Sequence, residues 1–257
     1  MKVTVCQLDP TAAEDSDYLD ALCEHTRAHR PDLLLLPEMP FSRWLAADPE
    51  PRAEAWQEAV AAHACRIEAL SRLSAEAVLA TRPIINAAGS YRNQAFIWRR
   101  SEGRATPVHE KYYLPNEEGY WEASWYERGL PSFDVTRAGP AILGVLICTE
   151  MWFLERARHY GASGVDILCV PRASPRASTQ KWLAGGRTAA VCSGSFCLSS
   201  NLCPSEGGAP VDGLGWIVDP EGEVLVATSA ASPFATVEID LEYAQRSKKT
   251  YPRYVAE

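Results

Sequence analysis

Four side chains of this sequence could act together in nucleophilic chemistry: a thiol, an ammonium and two carboxylates, at Cys148, Lys111, Glu38 and Glu122. Cys148 follows the apolar segment 143–147 and precedes a predicted helix, where backbone N–H groups can lower a thiol pKa and stabilise an oxyanion. An unperturbed cysteine has a pKa of about 8.5 and needs a base or a cation to become a good nucleophile. The alternative for Cys148 is a buried structural thiol.

The positions of the other three side chains relative to strand ends are informative. Glu38 comes shortly after the apolar segment 33–36, and ligands of α/β sheets bind beyond the carboxyl ends of strands. If both strands are parallel, Glu38 and Cys148 lie at the same edge of the sheet. Lys111 follows another predicted strand among aromatic residues, with Glu122 further along the same loop. Taken alone, Glu38 could equally be a solvated loop residue.

Hydrophobic periodicity predicts strands and helices that alternate along the chain, which is typical of a layered α/β protein. The predicted strands are 2–8, 32–36, 83–90, 94–99, 105–109, 141–147, 165–170, 196–199, 215–218, 224–228 and 235–241. The predicted helices are 11–29, 50–76, 152–160 and 180–191, with a turn at 92–93 and a long loop at 113–129. Loops of that length inside a compact domain are usually functional. No linker or repeat divides the sequence, so we expect a single domain over 1–257.

Composition excludes several classes of protein. The 257 residues carry 25 Lys+Arg and 33 Asp+Glu, a net charge of −8, which is unlike a general nucleic-acid binder. The apolar runs are too short to span a bilayer, and residues 1–6 do not resemble a signal peptide. The eight cysteines contain no C-x-x-C pair, as expected of thiols in a reducing compartment. We therefore expect a cytoplasmic protein that binds neither nucleic acid nor membranes.

Several motifs occur in an order and spacing that resemble one known family. They are Pro37-Glu38, Lys111-Tyr112-Tyr113-Leu114-Pro115, Glu122, Ile147-Cys148-Thr149-Glu150, Phe153-Leu154-Glu155, Arg187, Asn201 and the segment 218–225. This ordered set, which extends over nearly the whole chain, resembles the nitrilase, or carbon-nitrogen hydrolase, superfamily.

The resemblance implies a fold and a mechanism. The fold is a four-layer αββα sandwich, and the assembly a homodimer or higher homo-oligomer. The implied catalytic triad is Glu38, Lys111 and Cys148, with Glu122 holding Lys111 and the backbone N–H of Thr149 contributing to an oxyanion site. Cys148 would attack an amide-type carbon of a small molecule, release ammonia or an amine, and form a thioester that water hydrolyses. No cofactor and no metal are implied.

The residues after Cys148 bear on the substrate class. Glu150 stands where many members carry Asp, and Cys-x-Glu resembles true nitrilases, whose chains are generally longer than this one. Trp152 occupies the place where ω-amidase-like members have Arg. The run Trp152-Phe153-Leu154-Glu155 resembles the Trp-Phe-Pro-Glu of N-carbamoylputrescine amidohydrolases, and a Trp face suits an apolar or cationic group. We therefore expect an amide or N-carbamoyl substrate, with a nitrile as the alternative.

Six side chains are expected to contact the substrate. They are Phe41, Tyr113, Trp121, Glu150, Trp152 and Arg172. Arg172 and Arg43 could each bind a substrate carboxylate bidentately, or could be structural or surface arginines.

Other functions are less well supported by the sequence. Ser178 and Lys181 match the S-x-x-K pattern of acyl-serine enzymes, but the glycine of the third motif is missing at 249–251. His25 and His29 lie one helical turn apart, with no third metal ligand evident. A non-catalytic binding or assembly protein of the same fold also remains open, although it would have little reason to keep all four reactive side chains.

Overall fold

The computed structural model describes residues 1–10, 16–203 and 211–255. Its strands are β1 (Lys2–Leu8), β2 (Leu33–Leu35), β3 (Ala77–Ile85), β4 (Tyr91–Arg99), β5 (Arg104–Glu110), β6 (Thr136–Ala138), β7 (Ala141–Val145), β8 (Ile167–Arg172), β9 (Phe196–Leu202), β10 (Trp216–Val218), β11 (Val224–Ala227) and β12 (Phe234–Glu238). Its α-helices are α1 (Ser16–His29), α2 (Ala53–Glu68), α3 (Glu122–Trp125), α4 (Leu154–Ala162), α5 (Thr179–Ser193) and α6 (Leu241–Ser247).

The strands form two sheets. The first contains β1 to β5 and β12, the second contains β6 to β11, and the two meet where β1 pairs with β9. The spatial order is β5-β4-β3-β2-β1-β9-β8-β7-β6, with β12 beside β1, and β10 joining β9 to β11. The six strands from β3 to β7 in this order (β3, β2, β1, β9, β8 and β7) run parallel to one another. Because parallel strands end at one edge, the segments that follow β2 and β7 lie on the same side of the molecule.

Three apolar clusters show how the layers stack. The first joins residues of both sheets, among them Val5, Leu79, Val145 and Leu198, so the sheets pack face to face. The second joins the outer face of the first sheet to α1, and the third joins the outer face of the second sheet to α4 and α5. Two β layers therefore lie between two helical layers, and the predicted four-layer αββα sandwich is confirmed.

The central strands are covered on both faces. In β1, β8 and β9 nearly every residue is buried, and β8 begins as a continuous apolar run, whereas β1 and β9 also bury polar residues such as Thr4 and Ser199. Gly144 in β7 lies directly against the ring of Tyr160 from α4, and a Cβ atom there would come within 2.6 Å of the ring. The second sheet and its helices are thus closely packed behind Cys148.

Some predicted boundaries were wrong. The third strand covers 77–85 rather than 83–90, since residues 86–90 form the turn in which the Asn86 side chain accepts the N–H groups of Ala88 and Ser90. Arg92 and Asn93 belong to β4 and not to a turn. The sequence analysis missed α6 and the short strand β6. The beginning of the predicted helix 11–29 lies outside the described residues. None of the helices that the structure describes is long and apolar enough to cross a membrane.

Candidate active site

Glu38 lies just beyond the carboxyl end of β2 and is completely buried. Its backbone N–H donates to the carbonyl of Arg172 at the end of β8, over 3.3 Å. The next residue, Met39, has a φ of 45° and donates its N–H to the Thr81 hydroxyl over 2.7 Å. This sharp turn directs the carboxylate of Glu38 into the interior, so the alternative of a solvated loop glutamate is wrong.

Lys111 brings the two predicted carboxylates together. Its Nζ lies 2.7 Å from Glu38 Oε1 and 2.6 Å from Glu122 Oε2, and all three side chains are at most 1% exposed. The backbone of Lys111 is held by two hydrogen bonds, from its N–H to the carbonyl of Asn93 and from the N–H of Gly129 to its carbonyl. Glu122 reaches the cluster from α3, the short helix inside the predicted long loop.

Cys148 begins a short 3₁₀ helix, Cys148–Trp152, beyond the end of β7. Its φ of 47° is in the left-handed region, which is uncommon for a residue with a Cβ and marks a strained turn. The thiol is 3% exposed, and its Sγ lies 3.8 Å from the carbonyl of Ala173, the residue after β8. Thr149, whose N–H was expected to face an oxyanion, is the second residue of this helix and is half-buried.

The electrostatics of the cluster distinguish the roles that its members can take. Burial raises the pKa of the Cys148 thiol, and Glu38 raises it further while Lys111 opposes the increase. Burial disfavours the charged form of Lys111, but Glu122 and Glu38 outweigh it and raise the pKa of this ammonium. Burial raises the pKa of Glu122, and Lys111 partly offsets that. Burial and Glu38 thus favour the neutral form of the thiol, whereas the two carboxylates favour the charged form of Lys111.

Two residues of the cluster were missed by the sequence analysis. Asn93 donates from Nδ2 to Glu38 Oε1 over 2.8 Å, and Tyr126 donates its hydroxyl to Glu122 Oε2. With Lys111, Asn93 thus occupies one oxygen of Glu38, whereas Glu38 Oε2 is buried without a hydrogen-bond partner among the described residues. A correct strand assignment for 91–99 would have revealed Asn93, because its register opposite β5 places it next to Lys111.

Glu150 was expected to contact the substrate, and the structure gives it a different place. It is completely buried, with Oε1 accepting the N–H of Tyr112 and Oε2 accepting the N–H of Ile147, each over 2.8 Å. His109 Nε2 completes its environment at 2.8 Å from Oε2. A carboxylate saturated in this way holds the backbone, so the Cys-x-Glu pattern reports how the turn is anchored rather than which substrate binds.

Arg172 is a structural arginine in this fold. Its guanidinium is 1% exposed and donates to the hydroxyls of Ser199 and Ser174, each over 2.6 Å, and to the carbonyl of Leu214. It also packs against the rings of Trp182 and Trp216, at 5.3 and 5.4 Å from their centroids. Burial lowers its pKa to about 10. The bidentate substrate clamp that was considered for it would require these bonds to break.

The other side chains that were expected to contact the substrate lie in several different parts of the molecule. Tyr113 stacks on Phe153 with ring centroids 3.4 Å apart and belongs to the outer cluster around α4. Trp152 is 37% exposed and lies 5.0 Å from the ring of Trp182. Trp121 packs against an apolar cluster that includes Trp125 of α3, and its backbone N–H donates to the carbonyl of Ala46.

Phe41 and the exposed Arg43 line a separate cavity of about 560 Å³ beside α2. The backbone N–H of Phe41 donates to His63 Nε2, a buried histidine on α2, over 3.3 Å. In the described part of the chain, no group of three or more His, Cys, Asp or Glu side chains could hold a metal ion.

Comparison with solved structures identifies the fold. A carbon-nitrogen hydrolase from Helicobacter pylori G27 superposes with a TM-score of 0.83 over 98% of this chain and 94% of that one, at 21% identity. An amidase from Nesterenkonia sp. superposes with a TM-score of 0.78 over 95% and 92% of the two chains, at 24% identity. The protein therefore has the α/β fold of the nitrilase superfamily.

Comparison with known sequences identifies the family. The profile of the Carbon-nitrogen hydrolase family matches residues 2–249, and the chain belongs to that family. A glutamine-dependent NAD(+) synthetase from Rhodobacter capsulatus is 28% identical over 94% of this chain but only 43% of its own length. An N-carbamoylputrescine amidase from Solanum tuberosum is 32% identical over 28% of this chain and 24% of its own. Each of these matches thus covers less than half the length of the curated relative.

Proposed function

We propose that this protein hydrolyses the terminal C–N bond of a small carboxamide or N-carbamoyl compound, with Cys148 as nucleophile and Glu38, Lys111 and Glu122 as its partners. The observation that carries the proposal is the different bonding of the two carboxylate oxygens of Glu38. One carboxylate oxygen is fixed by Lys111 and Asn93, and the other has no partner among the described residues. A carboxylate held at one oxygen and open at the other can accept a proton from the buried thiol.

The chemistry follows from the charges of the cluster. Glu38 Oε2 takes the thiol proton as Sγ forms a bond to the carbonyl carbon, and the carbonyl oxygen becomes an oxyanion. Lys111, whose pKa is raised, stabilises that oxyanion as a cation, together with the N–H of Thr149. The proton on Glu38 then passes to the departing nitrogen, the C–N bond breaks, and a thioester of Cys148 remains. Glu38 next activates a water molecule, which releases the acid and regenerates the thiol.

The substrate class rests on what the relatives' names have in common. Glutamine, N-carbamoylputrescine and citrulline, named in the relatives' descriptions, each end in a –CO–NH₂ group. The exposed indole of Trp152 suits an apolar or cationic remainder of the substrate. Among the carboxamides, a free ω-amide of the glutamine type is favoured by the match of the synthetase relative to 94% of this chain.

An ammonia-release screen tests the substrate class. We expect ammonia from at least one member of a panel of aliphatic amides, ω-amides, N-carbamoyl amines and N-carbamoyl amino acids. Carbon dioxide released together with ammonia identifies an N-carbamoyl substrate, because the carbamic acid product decomposes to amine and carbon dioxide. Ammonia from nitriles alone would contradict the amide and carbamoyl assignment. No ammonia from any compound would favour a non-catalytic member of the fold.

Replacing Glu38 with glutamine tests the base directly. We expect kcat to fall by about 10²- to 10⁴-fold, the usual contribution of general acid–base catalysis. Alkylation of Cys148 by 2-chloroacetamide should slow at neutral pH and rise as the pH increases, because the thiol, whose pKa burial still raises, then has to ionise without a carboxylate that accepts its proton. The matched control is Glu127→Gln at an exposed glutamate, where both rates should stay at the wild-type values. Wild-type rates in Glu38→Gln would exclude Glu38 as the base.

A further inference from the structure

A second buried pair, His109 and Glu150, connects the segments that carry Lys111 and Cys148. His109 Nε2 lies 3.0 Å from Glu150 Oε1 and 2.8 Å from Oε2, and the two side chains are 1% and 0% exposed. Glu150 Oε1 accepts the N–H of Tyr112, and Oε2 accepts that of Ile147. Tyr112 directly follows Lys111, and Ile147 directly precedes Cys148. Each oxygen of one carboxylate therefore holds one of the two reactive segments.

The reactive segments need such an anchor because the strands that precede them, β5 and β7, do not pair with each other. Lys111 lies just past β5, whose pairing with β4 shifts register near His109, and Cys148 lies three residues past β7. The two strands belong to different sheets, near opposite ends of the strand order. No ladder of backbone hydrogen bonds can set their separation, whereas the buried carboxylate of Glu150 contacts both segments.

The second nitrogen of His109 fixes the orientation of the ring. Nδ1 lies 3.0 Å from the carbonyl oxygen of Ser132, which can only accept a hydrogen bond. Nε2 faces the carboxylate of Glu150, which accepts when ionised. Both ring nitrogens therefore face oxygen atoms of fixed neighbours, which holds the plane of the imidazole. The ring of Phe133, 4.8 Å away between centroids, packs against the imidazole.

We propose that His109 is a positioning residue that acts through Glu150: it holds the carboxylate in the orientation that sets the Lys111 ammonium against the Cys148 thiol. The proposal rests on the proposed function, since it concerns the same site. A reacting pair displaced by about 1 Å loses on the order of 10²-fold in rate, so the link has a measurable consequence.

Two substitutions at His109 separate its two hydrogen bonds. The amide nitrogen of glutamine reaches the place of Nε2, so His109→Gln keeps the bond to Glu150 and loses the one to Ser132. The amide nitrogen of asparagine reaches the place of Nδ1, so His109→Asn keeps the bond to Ser132 and loses the one to Glu150. Both variants lose one hydrogen bond and similar ring packing, which makes each the control of the other.

The measurement is the rate at which 2-chloroacetamide alkylates Cys148, read from the mass of the peptide that contains it, with the melting temperature of each variant. We expect His109→Asn to slow alkylation by about 10-fold or more and His109→Gln by no more than about 3-fold, at similar melting temperatures. Equal rates in the two variants would mean that His109 only fills space, and would overturn the proposal.

A double-mutant cycle tests whether His109 acts through Glu150. We expect Glu150→Gln to slow alkylation as His109→Asn does, and the double variant to be no slower than the slower single variant. Independent, multiplying effects would overturn the proposal. A wild-type rate in Glu150→Gln would do so as well, even if His109→Asn does not fold.

The alkylation assay needs no substrate, so the two proposals fail separately. The predicted pattern of alkylation rates without ammonia from any compound would leave the role of His109 standing and remove the proposed function. Ammonia release that depends on Cys148, with equal alkylation rates in the two His109 variants, would support the proposed function and remove the role of His109.

Discussion

Replacing Cys148 with alanine is expected to lower ammonia release by about 10⁴-fold or more, because the variant lacks the atom that we propose forms the covalent intermediate. The remaining cluster of Glu38, Lys111 and Glu122 could still polarise a bound carbonyl, which leaves a small residual rate. The fold should survive, since the side chain removed is small and its Sγ makes only a long contact of 3.8 Å with the Ala173 carbonyl.

The matched control is Cys169→Ala, which removes a completely buried thiol from β8 in the core between the sheets. Burial raises the pKa of Cys169 as it does that of Cys148, but the groups that act on Cys169 do not include Glu38 or Lys111. We expect wild-type turnover in this variant. Equal losses in the two variants would mean that thiol removal acts through packing, and a rate merely halved in Cys148→Ala would rule out Cys148 as the nucleophile.

Replacing Lys111 with methionine is expected to reduce kcat by about 10³-fold or more and to destabilise the protein. A single lost oxyanion donor costs about 10² to 10³ in kcat, and Lys111, the donor that we propose, is also the only cation bonded to Glu38 among the described residues. Breaking a buried ion pair by removing one partner costs about 3–5 kcal/mol, since the partner's charge stays buried.

The stability loss in Lys111→Met should depend on pH in a defined direction. Without the ammonium, which lowers the pKa of Glu122 in the wild type, burial and the neighbouring Glu38 raise the pKa of Glu122 in the folded variant further above its value in the unfolded chain. The folded state then binds more protons, so the variant is most stable at low pH and loses stability as the pH rises. Urea unfolding should therefore show a larger deficit relative to wild type at pH 8 than at pH 5.

The exposed Lys249 supplies the control for the second prediction. Lys249→Met changes the net charge by the same amount, and we expect wild-type turnover and a stability difference that does not vary between pH 5 and pH 8. A deficit in Lys111→Met that is constant over this range would contradict the buried cluster of charges described above.

The sequence allowed the reactive set to be predicted because Glu38, Lys111 and Cys148 each follow a recognisable strand. The apolar runs before Glu38 and Cys148 are buried on both faces, and such runs are the clearest strand signal in a parallel sheet. Parallel neighbours end at one edge, so strand-end residues far apart in the chain could be expected to meet. The structure places Lys111 between Glu38 and Glu122 as that reasoning requires.

The supporting residues could not be predicted in the same way. Asn93 was assigned to a turn, since two polar residues beside Tyr91 resemble one, and only the register opposite β5 shows that it reaches Glu38. Glu150 was assigned to the substrate because it lies close to Cys148 in the sequence. A side chain two residues along a tight 3₁₀ turn points away from the first, here toward backbone N–H groups.

The structural role of Arg172, a charged side chain at a strand end, could not be predicted from the sequence either. An arginine at that position could face a ligand or the helix layer, and alternation along β8 decides between them. Leu168 and Val170 face the helices, so Arg172 faces them too and packs between Trp182 and Trp216. The small residues Gly185 and Gly186 allow Trp152 and Trp216 to approach α5 closely, which pattern reasoning does not reveal.

Mapping the cysteine that reacts first with 2-chloroacetamide tests most directly whether the buried cluster makes Cys148 the reactive thiol. Cys148 is 3% exposed and Cys65 is an exposed cysteine, so accessibility alone favours Cys65. We predict one equivalent of alkylation at Cys148 ahead of Cys65, with turnover lost in proportion to that modification. Modification of Cys65 alone, or turnover that persists after Cys148 is fully alkylated, would contradict the claim.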